Sequence, residues 1–244
     1  MRLSVSVGEY CQEFLDTRMV NLKVKKLQVD EIWTFVGKKQ KQLTLQELDN
    51  RFIGDQYVFY GMDADTKLIP SFRLAKRDGE AARLFMTDLA TRIVTEFQLT
   101  TDAFSAYNDA VDSVWGAAIH YAQIHKSYDG TGEEATRRYS PPNIIRMDIR
   151  PISGNPNPRY ISTSYIERGN LTMRMQMRRF TRLTNAYSKK WENLKAALAL
   201  YFWHYNFARV HESLRVTPAM EAGLTKRIWT WEDLLRRQQE RKAA

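Results

Sequence analysis

At 244 residues, 43% of them hydrophobic, with twelve tyrosines, eleven phenylalanines and six tryptophans, the chain can bury a real core as one large domain or a domain with an appendage. A net charge of +9 and a pI near 9.6 point to a polyanion partner, nucleic acid before membrane. No stretch approaches the roughly 20 apolar residues that span a bilayer, and the lone Cys11 excludes an internal disulfide or a cysteine-rich zinc knuckle.

The N-terminus lacks an apolar signal core, so a cytoplasmic protein is expected, and with the basic charge a nucleoid-associated one. Residues 1–26 read as a short helical or irregular lead-in that ends in the basic run Lys23-Val24-Lys25-Lys26. Leu27 to Val36 alternates as a strand, whereas Lys38 to Asn50 is polar and reads as an exposed loop. Tyr57–Met62 and Leu68–Leu74 predict two strands joined by a turn at Asp63–Thr66, with Pro70 assigning the second to a sheet edge. Asp78 caps a helix that carries Ala82, Phe85, Met86, Leu89 and Ile93 on its inner face. A short strand ends at Asp102, a helical turn follows through Ala106–Ala110, and Ile119–Lys126 predicts another strand.

Residues 127–163 hold five of the seven prolines and read as an insertion without regular structure. Ser162-Thr163-Ser164 offers hydroxyl caps for a helix on which Glu167, Arg174, Arg178 and Arg182 share one sector and Met173, Met177 and Phe180 another. From about Ser188 the chain is helical, with a long helix burying Trp191, Leu194, Leu198, Tyr201 and Tyr205. Shorter helices open at Thr217-Pro218 and at Thr230-Trp231. The expected class is α/β with a mixed sheet, divided into the lead-in 1–26, a domain 27–187 and a helical extension 188–244.

Three acidic residues stand out by placement. Asp30 lies inside an apolar strand, where a bare carboxylate is costly unless paired or bound to metal. Asp102 ends a strand, and Glu167 opens the basic helix. Brought together they would form an all-oxygen site suited to Mg²⁺ or Mn²⁺, and two such ions can drive phosphodiester chemistry. Glu31 adjoins Asp30, but alternation along a strand sends neighbours to opposite faces, so only one of them is expected in the site; the motif resemblance given below favours Asp30. Asp63 and Asp65 are explained by a hairpin turn. His120 with His125, and His204 with His211, lack the third ligand of a zinc site.

Val29-Asp30-Glu31-Ile32-Trp33, Thr101-Asp102-Ala103-Phe104-Ser105-Ala106-Tyr107 and Ser164-Tyr165-Ile166-Glu167-Arg168-Gly169-Asn170 resemble, in order, the three acidic motifs of DDE transposases of bacterial insertion elements, most of all the insertion-sequence-one type. Gly154–Pro158, Met177–Ala186 and His204–His211 are similar to that family as well, so that the resemblance covers roughly residues 8 to 235. It implies a ribonuclease-H-like sheet flanked by helices, two-metal cleavage and strand transfer on DNA, and Asp30, Asp102 and Glu167 as the metal-binding triad. Arg174, seven residues after Glu167, matches the family's basic residue that holds the DNA end.

Arg168, Asn170, Arg178, Arg179 and Arg182 are the further DNA-contact candidates, and a homo-oligomer on DNA is an expected assembly. Arginines 137, 138, 146, 150 and 159 of the insertion are weighed as DNA contacts or solvated charges. Family members carry an N-terminal zinc-binding and helix-turn-helix reader. Fewer than thirty residues precede Asp30 and no CxxC is present, so end recognition is expected to be lost or supplied by another chain or reading frame. The alternatives are a truncated, non-enzymatic remnant that binds DNA or a full-length partner, and a general ribonuclease-H-like nuclease.

Overall fold

The computed structural model describes residues 2–128, 144–181 and 185–243. A six-stranded mixed sheet forms from β1 (Lys26–Val36), β2 (Gly54–Asp63), β3 (Phe72–Ala75), β4 (Gln98–Asp102), β5 (His120–Tyr128) and β6 (Ile144–Ser153) in the order β3-β2-β1-β4-β5-β6. β1, β2 and β3 form an antiparallel meander, β4 and β5 run parallel to β1, and β6 returns antiparallel along β5. With helices on both faces, this is the ribonuclease-H-like topology that the motifs led us to expect.

Alternation along β2 distributes the helices. Phe59 packs on Phe85 of α2 (Gly79–Arg92) and on Tyr107 of α3 (Ala106–Trp115). Tyr60, facing the other way, meets Phe202 of α5 (Trp191–Trp203) on the face that also carries α4 (Ser164–Gln176). Asp78 caps α2 as expected, accepting the N–H of Ala81 at 2.8 Å.

The lead-in is a regular helix, α1 (Arg2–Arg18), whose Phe14 joins Trp203, Phe207 and Trp229 in one aromatic cluster. Gly8 lets it approach α5, since a Cβ there would stand 2.5 Å from the Ala196 carbonyl oxygen. α5 runs into a π-helical turn at His204–Ala208, and α6 (Pro218–Glu221) and α7 (Trp231–Ala243) complete the chain. Among the described residues no helix is long and apolar enough to cross a membrane.

Three expectations need correction. β3 begins at Phe72 instead of Leu68, because Pro70 has no N–H to give and the backbone of Ile69 bonds instead to Asn206, which both donates and accepts at 3.0 Å. The proline-rich insertion contains β6, where Pro151 is tolerated beside a register shift on an edge strand. The basic helix stops at Gln176: Met177 is extended (φ −110°, ψ 99°), and a 3-10 turn at Arg178–Phe180 carries Phe180 into the core. Arg178 therefore leaves the helical sector of Glu167, and Arg182 lies outside the described residues.

Candidate active site

β1 pairs with β4 only as far as Val29↔Thr101. Beyond that pair β4 ends at Asp102 while β1 continues to Val36, so a gap opens in the sheet between them. Asp30 stands at its edge, one residue past the last pair, and Asp102 stands across it.

Asp30 Oδ1 accepts the N–H of Glu31 at 2.8 Å, and Oδ2 accepts Asn170 Nδ2 at 2.7 Å. Asp102 Oδ1 accepts the N–H of Phe104 at 3.0 Å. Glu31 points to the opposite face, where the Tyr107 hydroxyl donates to it at 2.8 Å and Arg77 pairs with it at 2.5 Å. Yet one carboxylate oxygen each from Asp30, Glu31 and Asp102 lies within 4.8 Å of the others. The expectation that only one of the neighbouring acids enters the site is thus corrected. Alternation holds, but where β4 has ended the longer Glu31 side chain reaches the gap from the far face. Arg77 partly offsets this charge, its guanidinium lying 3.9 Å from Asp102 Oδ2 and 3.9 Å from the Phe104 ring centre.

α4 is docked by the sheet itself. Gln28, buried on β1 two residues before Asp30, accepts the N–H groups of both Tyr165 and Ile166 at 3.0 Å. These are orphan donors of the helix N-terminus, which the hydroxyls of residues 162–164 were expected to satisfy. One turn later the buried Tyr60 hydroxyl lies 3.0 Å from the Ile166 carbonyl oxygen and 2.9 Å from Asn170 Oδ1. Gly169 permits that approach, since a Cβ there would stand 2.7 Å from the Tyr60 hydroxyl. Asn170, expected on DNA, is turned inward, so that Tyr60, Asn170 and Asp30 form one chain of hydrogen bonds.

Glu167 lies on the same side of the sheet but outside the group of three. Its Oε1 accepts the Thr163 hydroxyl at 2.6 Å and is paired with the Lys126 ammonium. Its charge still reaches both aspartates. Burial, then Asp102 and Glu31, and more weakly Glu167, push Asp30 up to about 7. Burial also raises Asp102 and Glu31 above the usual carboxylate range, against the pull of Arg77 on both. Carboxylates forced together this way are a donor set that a hard divalent cation would satisfy: the residues fit Mg²⁺ or Mn²⁺.

Of the basic candidates, Arg168 and Arg178 are exposed. Arg174 is half-buried and its charge reaches Tyr60, and Arg179 donates to Ser188 Oγ at 2.7 Å. Asp63 closes its hairpin turn by accepting from Thr66, and Asp65 pairs with Lys26. Three of the four histidines are engaged separately, His120 with Asn155, His204 stacked on Trp231 and His211 with Ser213. Sequence reasoning missed Gln28, Tyr60, Arg77, Tyr107 and Lys126. Only Asn170 carried a signal, lying three residues after Glu167 and so on its side of the helix.

No protein-family model and no curated protein matches the sequence. Among solved structures the chain is similar to the piggyBac transposase in its synaptic complex with hairpin DNA, with 9% identity and a TM-score of 0.36 over 88% of this chain and 52% of that one. The chain therefore spans about half the length of that transposase.

Proposed function

We propose that this chain is a DDE transposase of the insertion-sequence-one type, which cuts DNA strands and joins their 3′-ends to a target with the help of Mg²⁺ or Mn²⁺. The observation that carries the reading is the meeting of Asp30, Glu31 and Asp102 at the gap in the sheet, with Glu167 on the helix beside them. Asp30, Asp102 and Glu167 would hold the ions. Two such ions supply an activated water or 3′-hydroxyl and stabilise the leaving oxygen of a phosphodiester. The protein's own part is positional: Asn170 and the Phe104 N–H orient the two aspartates, and Gln28 fixes the helix that presents Glu167. Arg168 and Arg178 would grip phosphates, a role their exposure supports, and the working assembly would be a homo-oligomer on DNA in the cytoplasm.

The test is strand joining with supplied pre-cut element ends, a target duplex and Mn²⁺. Asp102→Asn keeps side-chain shape and removes charge, so joining is expected to fall by several orders of magnitude while DNA binding persists. Full activity in Asp102→Asn would remove the triad from the chemistry. DNA binding without any joining by the wild type would leave a DNA-binding remnant as the better description.

A further inference from the structure

Glu167 is held by a cation that the chain itself supplies. Lys126 lies on β5, two residues beyond Ile124, which pairs with Asp102, so that its side chain emerges on the face of Asp102 and Glu167. Its side chain is only 15% exposed, and its ammonium touches Glu167 Oε1 and lies 3.3 Å from Thr163 Oγ1. The Thr163 hydroxyl donates to the same Oε1. One carboxylate oxygen is therefore bound twice, by Lys126 across the cleft on β5 and by Thr163 at the start of its own helix. Among the described residues Glu167 stands outside the mutual 4.8 Å group formed by the other three acids. The Lys126 charge also reaches Asp102 and favours its ionised form.

We propose that Lys126 is an internal counter-ion latch: it holds Glu167 away from Asp30 and Asp102 in the metal-free protein, and metal loading requires that Glu167 leave Lys126. The inference rests on the metal-centre reading above and adds the residue that sets how readily the centre fills. The Glu167 carboxylate, although exposed, is repelled by Asp30 and Asp102, and the ammonium offsets that repulsion without a metal. The same pairing makes the competent arrangement a fraction of the population, and apparent metal affinity falls by that fraction.

The test measures Mn²⁺ binding to the full chain without DNA, by the loss of the free-ion electron paramagnetic resonance signal at neutral pH. Wild type, Lys126→Met, Glu167→Gln, the double variant and Asp102→Asn are compared, with melting curves to establish folding and Lys126→Gln as a second replacement. Lys126→Met keeps the apolar stem and is expected to tighten Mn²⁺ binding on the order of tenfold, a typical size for coupled neighbours. In the Glu167→Gln background the same change should have little effect, because there is no carboxylate to release. Equal tightening in both backgrounds would mean that removing any positive charge suffices, and unchanged or weaker binding would mean that Lys126 does not compete; either overturns the latch. Loss of binding in Asp102→Asn in those cases would leave the metal centre standing. Failure of the wild type and both Lys126 variants to bind Mn²⁺ would remove the centre and the latch together.

Discussion

Gln28 shows how one buried amide can align two parts of a site. Its Oε1 takes two N–H groups of α4, and two residues on, Asp30 takes the amide of Asn170 from the next turn of the same helix. Gln28→Leu keeps approximate volume and leaves one buried donor, the Ile166 N–H, and one part-buried donor, the Tyr165 N–H, without an acceptor. It should cost about 1–3 kcal/mol per orphaned donor, read as a lower denaturation midpoint, and should reduce strand joining as well. Stability unchanged in urea titrations would show that water replaces the amide. Asp30 itself gives a pH prediction. Its pKa is raised from 3.8 to about 7, so between those values the folded state keeps a proton that the unfolded chain has released. The stability this confers is complete below about 3.8 and is lost as pH rises through about 7. Metal-free protein should therefore lose up to roughly 1.4 kcal/mol per pH unit across that window from this group. Asp30→Asn should flatten the slope and melt higher than wild type at pH 7.5 in chelator. An identical slope in the variant would assign the pH dependence elsewhere.

At the scale of elements, the ends of the strands and helices shape the site. β4 stops at Asp102 and so opens the gap; α4 stops at Gln176 and so sends Arg178 off the helix onto an exposed turn. If Arg168 and Arg178 each neutralise one phosphate, replacing both by alanine should reduce the slope of log K against log salt on duplex DNA by about 1.8. A slope that does not move would leave both as solvated charges. These ends also mark what the sequence could and could not say. Strand alternation in β1 and β2 and the cap at Asp78 were legible because the signal is local. The approach of Asp30 to Asp102 was legible because a carboxylate in an apolar strand is costly and because their motifs resemble a family's, whereas Glu31 joins them and Glu167 stays outside their group. The stop of α4 was not, since Phe180 is drawn into a core assembled from distant residues and overrides helical continuity. β6 was hidden by Pro151, which breaks strand propensity but is harmless beside a bulge. Lys126 and Gln28 gave no signal, because their partners lie 41 and 137 residues away.

For the whole molecule, the two ends of the described chain are packed together in one core with α5, on the face of the sheet that Tyr60 lines. Phe14 of α1 touches Trp203, Phe207 and Trp229, and its neighbour Cys11 is fully buried with its thiol pushed up to about 12 by that burial. Trp203 packs in turn at a tilt against Trp231 at the start of α7, and Tyr60 under the candidate site meets Phe202 of the same helix as Trp203. α1 and α5 share a single core cluster with the sheet that carries Asp30. The lead-in, the sheet and the C-terminal helices should therefore unfold in one transition, not in three, despite the division at residues 26 and 187 that composition suggests. Phe14→Ala removes a ring from the joint and should cost about 3–5 kcal/mol. Cys11 reports on it directly: a thiol that is both buried and un-ionised reacts only when α1 lifts. In native buffer its alkylation should be slow and should track loss of tryptophan fluorescence and helical circular dichroism along one urea curve. In Phe14→Ala all three should shift together to lower urea. Alkylation of Cys11 well before the other two signals change would show α1 to be an appendage that detaches by itself, and the site would then owe nothing to it.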